Sequence, residues 1–424
     1  MQLKHNILKL YLLKGFLWFM VSMPIIVLFF QENGLTLMEV MILQSVYSLT
    51  VAITEIPSGY IADYFGRRNS IIVSTLFIFI GYLIFSNYSG FEIFILAEFL
   101  VAIGGSLMSG ADSAIMYDTL LEVNKEKKYT EVEGKTYAIG NFSEGIAGLF
   151  CAALVYIYVL EDEQLIFPVQ IQTFIVFFCI PIAISLVEPS LNNKNKIEKG
   201  FSSILKVVRF SLFENIKLKW LIIYSSIMGV ATLSAAWLSQ PFFKSIEIPI
   251  FYYGILWAAL NFTAGISSYR SHKTEKKYNV NSLLMNLGLF MSISFLLVYL
   301  FPNYFGLVFI FIIYYLRGIV SPILKNQINL NTKSNIRATV MSVRSFVLRI
   351  SFAIIAPILG LMADNKGISD SFLLLSILII IFSSISILGL KSGGTSKYIN
   401  KYSETIEIII TLFLIILFFI VSIN

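Results

Sequence analysis

Eight charged residues fall inside stretches otherwise apolar enough to cross a membrane: Lys14, Glu55, Glu98, Asp112, Glu144, Arg317, Arg344 and Arg349. A charge in such a place is costly, so it usually faces a cavity or a partner. The carboxylates lie in the first half of the chain and the arginines in the second. This asymmetry predicts either ion pairs across an interface between halves, or a cavity with one acidic and one basic wall. Glu98 and Asp112 are fourteen residues apart. On one continuous helix they would share a face within roughly 40°. Two such carboxylates could carry a proton, because burial raises a carboxyl pKa toward neutrality. The alternative is that each is paired with an arginine and stays ionised. Glu55, just before Pro57, reads equally well as a structural partner of Arg67 or Lys14. Arg344 and Arg349 point about 140° apart on a helix, so they cannot both face one cavity squarely. Arg317 or Arg349 could hold an anionic group, because arginine stays charged and offers a fork of donors. The rival reading is a static bridge to Glu144 or Asp112. Trp18, Trp237, Phe262, Tyr314 and Tyr315 are candidates to line an apolar pocket, although most aromatics here must face lipid or pack.

The elements that position these residues follow from composition. The chain has 424 residues, 57% hydrophobic and only 13% charged. A soluble domain is closer to a quarter charged. The chain therefore reads as an all-α polytopic membrane protein. About twelve core spans of roughly twenty residues fit, the length needed to cross a hydrocarbon core of about 30 Å. They run near 9–30, 37–60, 70–88, 91–114, 136–159, 165–187, 219–241, 249–268, 281–300, 303–325, 338–362 and 369–390. Most of the 31 lysines and arginines fall on one side when loops are assigned alternately, which places the N-terminus in the cytoplasm. The net charge of +6 is no sign of nucleic-acid binding, because the bases sit in loops between spans. No His/Cys/carboxylate cluster has metal-ligand spacing, and no Ser-His-Asp set is visible, so no metal, cofactor or enzymatic activity is expected. Cys151 and Cys179 fall in apolar segments, against a disulfide framework.

The spans divide into an N-terminal six-helix unit at 1–188, a cytoplasmic linker at 189–218, a C-terminal six-helix unit at 219–390 and a tail at 391–424. Within the linker, Phe201–Lys217 sets Ile204, Leu205, Val208 and Leu212 against Lys206, Arg209 and Lys217. It reads as an amphipathic helix on anionic lipid, or equally as a solvated connection. Ile408–Ile423 is almost wholly apolar and reads as an additional membrane helix, with an interfacial helix as the alternative. Gly59 and Gly265, 206 residues apart, hint that the two units repeat.

Between the second and third spans stands Gly59-Tyr-Ile-Ala-Asp63-Tyr-Phe-Gly66-Arg67-Arg68. Gly66 permits a tight turn, and the arginines supply positive charge beside the membrane. The stretch resembles the loop signature of the major facilitator superfamily, with Tyr64 where that family usually has a base. The resemblance implies six plus six helices in two pseudo-symmetric halves. It gives Gly59, Asp63, Gly66, Arg67 and Arg68 the role of a conformational latch, with the Asp63 carboxylate meeting a helix of the other half. Ser109–Asp118 and Arg337–Ser342 look like bacterial members labelled drug or metabolite exporters. Span five lacks the Gly-Pro pair of the antiporter branch.

The expected function is a secondary transporter in the bacterial cell membrane, acting as a monomer by alternating access. It would export a small amphipathic or zwitterionic organic molecule, driven by protons. In that reading Glu98, Asp112, Glu144 and Glu55 are coupling candidates. Arg317, Arg349, Arg344, Lys14, Trp237 and Tyr314 are substrate or ion-pair candidates. Two alternatives keep their place: a proton-coupled importer of a sugar, peptide or similar nutrient, and a receptor or scaffold that does not transport.

Overall fold

Short polar signals punctuate the apolar runs. Thr36 caps the helix that follows it: its hydroxyl accepts from Glu39 N at 3.2 Å, and Thr36 N donates to the Glu39 carboxylate at 2.8 Å. Asn215 and Asn303 cap two later helices through Leu218 N and Phe305 N. Such caps satisfy donors that a helix start leaves without partners.

A computed structural model of the chain describes residues 2–159, 164–189, 201–277, 280–333 and 336–392. The described chain is helical: α1 (Asn6–Trp18), α2 (Ile26–Glu32), α3 (Leu37–Phe65), α4 (Arg67–Asn87), α5 (Phe91–Met108), α6 (Ala111–Glu122), α7 (Tyr129–Leu154), α8 (Ile166–Phe177), α9 (Cys179–Ser185), α10 (Phe201–Arg209), α11 (Ile216–Ser245), α12 (Phe251–Lys277), α13 (Val280–Leu300), α14 (Tyr304–Leu330), α15 (Arg337–Lys366) and α16 (Ile368–Ser392). Among the described residues, eleven segments are long and apolar enough to cross a membrane. The eighth in order, α12, is less apolar and is wedged between α14 and α7. The result is six helices before the linker and six after it. The apolar tail at 408–423 and the polar linker stretch 192–199 lie outside the described residues.

Two expected spans are broken. The first splits into α1 and α2 around Pro24, and its freed backbone groups find side chains elsewhere. Val21 N donates to Gln172 Oε1 at 2.6 Å. Val27 N donates to Gln240 Oε1 at 2.9 Å, and Gln240 Nε2 donates to Met23 O at 2.8 Å. The fourth splits at Ser109-Gly110, where Gly110 takes φ +85°. That break corrects the expectation that Glu98 and Asp112 share one helical face. Glu98 is on α5 and Asp112 opens α6, so the period no longer links them.

The linker helix turns part of its apolar set inward. Val208 and Leu212 pack against the main core, whereas Leu205 is exposed beside Lys206 and Arg209. Gly265 lies inside α12 with nothing near the position of a Cβ.

The six-helix sets meet along α3 with α15 and along α7 with α12. Close approach is concentrated at the ends remote from the N-terminus. A Cβ on Gly360 of α15 would lie 2.5 Å from Met38 Cα and 2.7 Å from Leu37 O. A Cβ on Gly254 of α12 would collide with Gly148 O of α7 and sit 2.7 Å from Ala152 N. Gln240 of α11 ties the α1–α2 break at the same end. The Asp364 carboxylate of α15 accepts from the first two amides of α3, Leu37 N at 3.0 Å and Met38 N at 2.8 Å.

Candidate functional site

The turn at Gly66 is built as its residue types require. Gly66 has φ +99°, a conformation that favours glycine. It ends α3 and starts α4. The Glu188 carboxylate then accepts from Arg67 N at 3.0 Å and Arg68 N at 2.6 Å, covering the positive N-terminus of α4. The Arg67 guanidinium donates to Ala114 O at 2.9 Å and pairs with Asp118. Arg68 donates through Nε to Leu186 O and through Nη2 to Ile184 O, both at 2.7 Å. The two arginines thus bind α4 to α6, to the end of α9 and to the segment after it, all within the first six helices. Glu188 and Asp118 were not among the residues the spacing singled out. Only the signature's two arginines hinted that acids must face them. Tyr64 is exposed, edge-on to Phe65. Gly59 and Asp63 are in α3, and the surroundings of Gly59 and the side chain of Asp63 lie outside what the structure describes. Arg67→Ala strips Asp118 and Ala114 O of a donor, and is expected to cost roughly 1–3 kcal/mol. A lowered unfolding temperature of the detergent-solubilised protein would register it.

The remaining charges form three groups. In the first, Gln44 of α3 donates to Glu98 Oε1 at 2.9 Å, and Glu98 is only 7% exposed. Tyr47, one turn along α3, lies in the fields of both Glu98 and Arg349 of α15. The Arg349 Nε is buried with no acceptor. In the second, Glu144 of α7 is coupled electrostatically to Arg317 of α14 and faces the Trp257 indole of α12. Glu144 stands one turn from Gly148, on the side of α7 that crosses α12. Arg317 lies over the Tyr314 ring at 5.5 Å. No carboxylate comes within 4.0 Å of Arg317 or Arg349 among the described residues. In both groups the carboxylate comes from the first half and the arginine from the second, and among the described residues neither closes as one of the ion pairs that the asymmetry offered as one alternative.

The third group sits wholly in the first half. Lys14 lies over the Trp18 ring at 4.6 Å and in the field of Asp112 and Glu133. Ser113 joins them, donating to Glu133 Oε1 at 3.5 Å. Asp112 is therefore not a partner of Arg317 or Arg349. Glu55 is half-buried, and its two suggested partners are engaged elsewhere: Arg67 with Asp118, Lys14 with Asp112 and Glu133. Arg344 donates to Ser225 Oγ of α11 within the second half. Trp237 packs against the core, and Tyr315 is exposed. Trp257, Tyr47 and Gln44 emerge only from the packing. A tryptophan or glutamine in an apolar run carries no signal of what it will face.

Two buried donors in the second group find no acceptor. Trp257 is 5% exposed and Tyr314 0%, yet neither Trp257 Nε1 nor the Tyr314 hydroxyl completes a hydrogen bond. Each such group costs about 1–3 kcal/mol if left unsatisfied.

Against this geometry, the comparisons with known proteins agree on one fold. The sequence profile described as Major Facilitator Superfamily matches residues 10–356. An uncharacterised MFS-type transporter, YxaM of Bacillus subtilis (strain 168), is 23% identical over 369 residues, covering 84% of this chain and 89% of that protein. The nucleoside transporter NupG in a mutant form superposes with a TM-score of 0.77 at 14% identity, over 92% of this chain and 100% of that one. A bacterial homolog of the human lysosomal transporter Spinster, inward-facing and unoccupied, gives 0.73 at 15% identity, over 92% and 97%. A POT family transporter in complex with 5-aminolevulinic acid gives 0.70 at 14%, over 92% and 97%. The profile covers most of the chain, and this protein is a membrane transporter of the Major Facilitator Superfamily.

Proposed function

We propose that this chain exports a small zwitterionic or amphipathic organic molecule across the bacterial cell membrane, driven by protons. The observation that carries the reading is the pair of acid and base groups placed across the interface of the halves without closing as ion pairs. A charge at membrane depth that is not locked to a partner is available to a substrate or a proton. Glu144 and Glu98 are the coupling groups, and Arg317 and Arg349 the anion-holding groups. Lys14, Asp112 and Glu133 form a separate polar cluster on the path toward the base-rich face. The base-rich face with the N-terminus is cytoplasmic, so the joined ends are external and the conformation is open to the inside. Asp63 holds the opposite, outward-open state, and the chain acts as a monomer with units at 1–188 and 219–390.

The test uses a bacterium stripped of its own efflux pumps. Wild type, Glu144→Gln and Asp63→Asn are expressed at equal levels and growth is compared across a panel of toxic organics. Protection by the wild type and not by Glu144→Gln supports the reading. Protection that survives Glu144→Gln removes Glu144 from the cycle. Import is the second reading, favoured by similarity to proteins titled nucleoside and peptide transporters. Increased sensitivity of the wild type, in place of protection, would establish it.

The external closure gives its own prediction. Asp364→Asn replaces a charged acceptor at the N-terminus of α3 with a neutral one, at a cost of about 0.3–1 kcal/mol. Outward-open molecules are expected to increase two- to five-fold. Single-cysteine accessibility from outside would measure the shift.

A further inference from the structure

Donors outnumber acceptors where α7, α12 and α14 meet. The Arg317 guanidinium and the Trp257 indole N–H face one carboxylate, Glu144, which does not reach Arg317 within 4.0 Å, and the Tyr314 hydroxyl lies beside Arg317 and Ser239. Trp257 and Tyr314 are both more than nine-tenths buried and complete no hydrogen bond. We infer that these four residues form a carboxylate-recognising subsite: Arg317 anchors the ligand's carboxylate, Tyr314 and Trp257 flank it as donors, and Glu144 receives an ammonium on the same ligand. The inference rests on the transporter reading and narrows its substrate to a zwitterion.

The chemistry favours a carboxylate over other anions. Arginine presents a planar fork that matches two carboxylate oxygens. One guanidinium facing one carboxylate leaves no surplus charge for a dianionic phosphate. An uncharged ligand would leave the half-buried Arg317 and Glu144 both unanswered, which is the costly outcome at membrane depth. The Phe262 ring supplies an apolar wall. It lies against Gly145, next to Glu144 in the chain, where a Cβ would be 2.9 Å from the ring's Cζ. Phe262 is exposed on the other side. A compact head group with an apolar tail fits this order of surfaces.

The experiment measures binding to the purified full-length protein in lipid nanodiscs, by calorimetric titration. The probes are leucine and phenylalanine, each compared with its amide and with the matching acid that lacks the amine. At least one zwitterion is expected to bind about ten-fold or more tighter than both analogues, the value of a charge-assisted contact. Arg317→Lys is expected to reduce that preference below about three-fold, because a point charge replaces the fork. Trp257→Phe keeps an aromatic ring and removes the N–H; it is expected to weaken the zwitterion about five-fold and leave the amide unchanged. Equal binding of zwitterion and amide, no saturable binding of any probe, or a preference that survives Arg317→Lys would overturn the subsite. A protein that confers protection yet shows no such preference has lost the subsite and kept its transport role. One that shows the preference yet moves nothing has lost the role and kept the subsite.

Discussion

Gly254→Val is expected to cut transport about ten-fold or more and to leave apart the ends of the halves remote from the N-terminus, the external ends on the proposed reading. Gly254 and Gly148 let α12 and α7 cross with their backbones in contact; a Cβ on Gly148 would lie 2.9 Å from Gly254 O. Neither side of that contact is a flexible side chain, so a valine must be accommodated by separating two helices of different halves. Overpacking of this kind costs about 1–3 kcal/mol. In a two-state transporter that sum falls on one state only, so the ratio of closed to open shifts about five- to 150-fold. The protein should still fold, because the crossing joins the halves and not the helices within one. The readout is labelling by an impermeant thiol reagent of a cysteine at Gln31, with Cys151 and Cys179 replaced. Gly265→Val, on the same helix in open space, should leave labelling and flux within about two-fold. If both variants behave alike, the crossing has no part in the external closure.

Neutralising Glu144 and Arg317 together separates a static bridge from a working pair. Either change alone leaves a charge of the other half facing no counter-charge, at a cost of about 3–5 kcal/mol if it stays buried and ionised. On the proposed reading, Glu144→Gln and Arg317→Gln should therefore each abolish transport, a loss on the order of 100-fold or more. The double variant restores electrical balance. If the pair only holds the halves together, flux and unfolding temperature both recover. If the pair handles substrate and proton, the unfolding temperature recovers and the flux does not. The second outcome is the one expected here, and Arg344, already bonded to Ser225 within its own half, provides the control: Arg344→Gln should alter stability without touching the pH-gradient dependence of flux.

Apolar composition and length were enough to locate the spans, because hydrocarbon thickness imposes the same demand on each of them. The sequence also carried the split of acids and bases between halves, which needs no geometry to notice. Partners were a different matter. Glu188 and Asp118 are far from Arg67 in the chain, and nothing in their local sequence says which base they will meet. Glu98 and Asp112 illustrate the opposite failure: the spacing was right for one helix, but Gly110 ends that helix and restarts it out of phase. Trp257 gives no signal in the sequence, because tryptophan in an apolar run is usually packing. Its importance comes from an N–H that packing leaves without an acceptor, and orphaned donors exist only in three dimensions.

The ties at Asn6 and Glu188 impose an order on synthesis. Asn6 donates to Thr119 Oγ1 at 3.1 Å and to Val187 O at 2.8 Å, and accepts from Val187 N at 3.0 Å. Glu188, the next residue, covers the start of α4 across 121 positions of sequence. The earliest helix and the third span therefore wait, inserted but unfastened, until residues 187 and 188 leave the ribosome. A nascent chain stalled just short of this point should be readily cleaved by protease at the Gly66 turn, and one stalled beyond it should resist. The same two residues stand at the entrance to the linker, so the first six helices are sealed before the seventh is made.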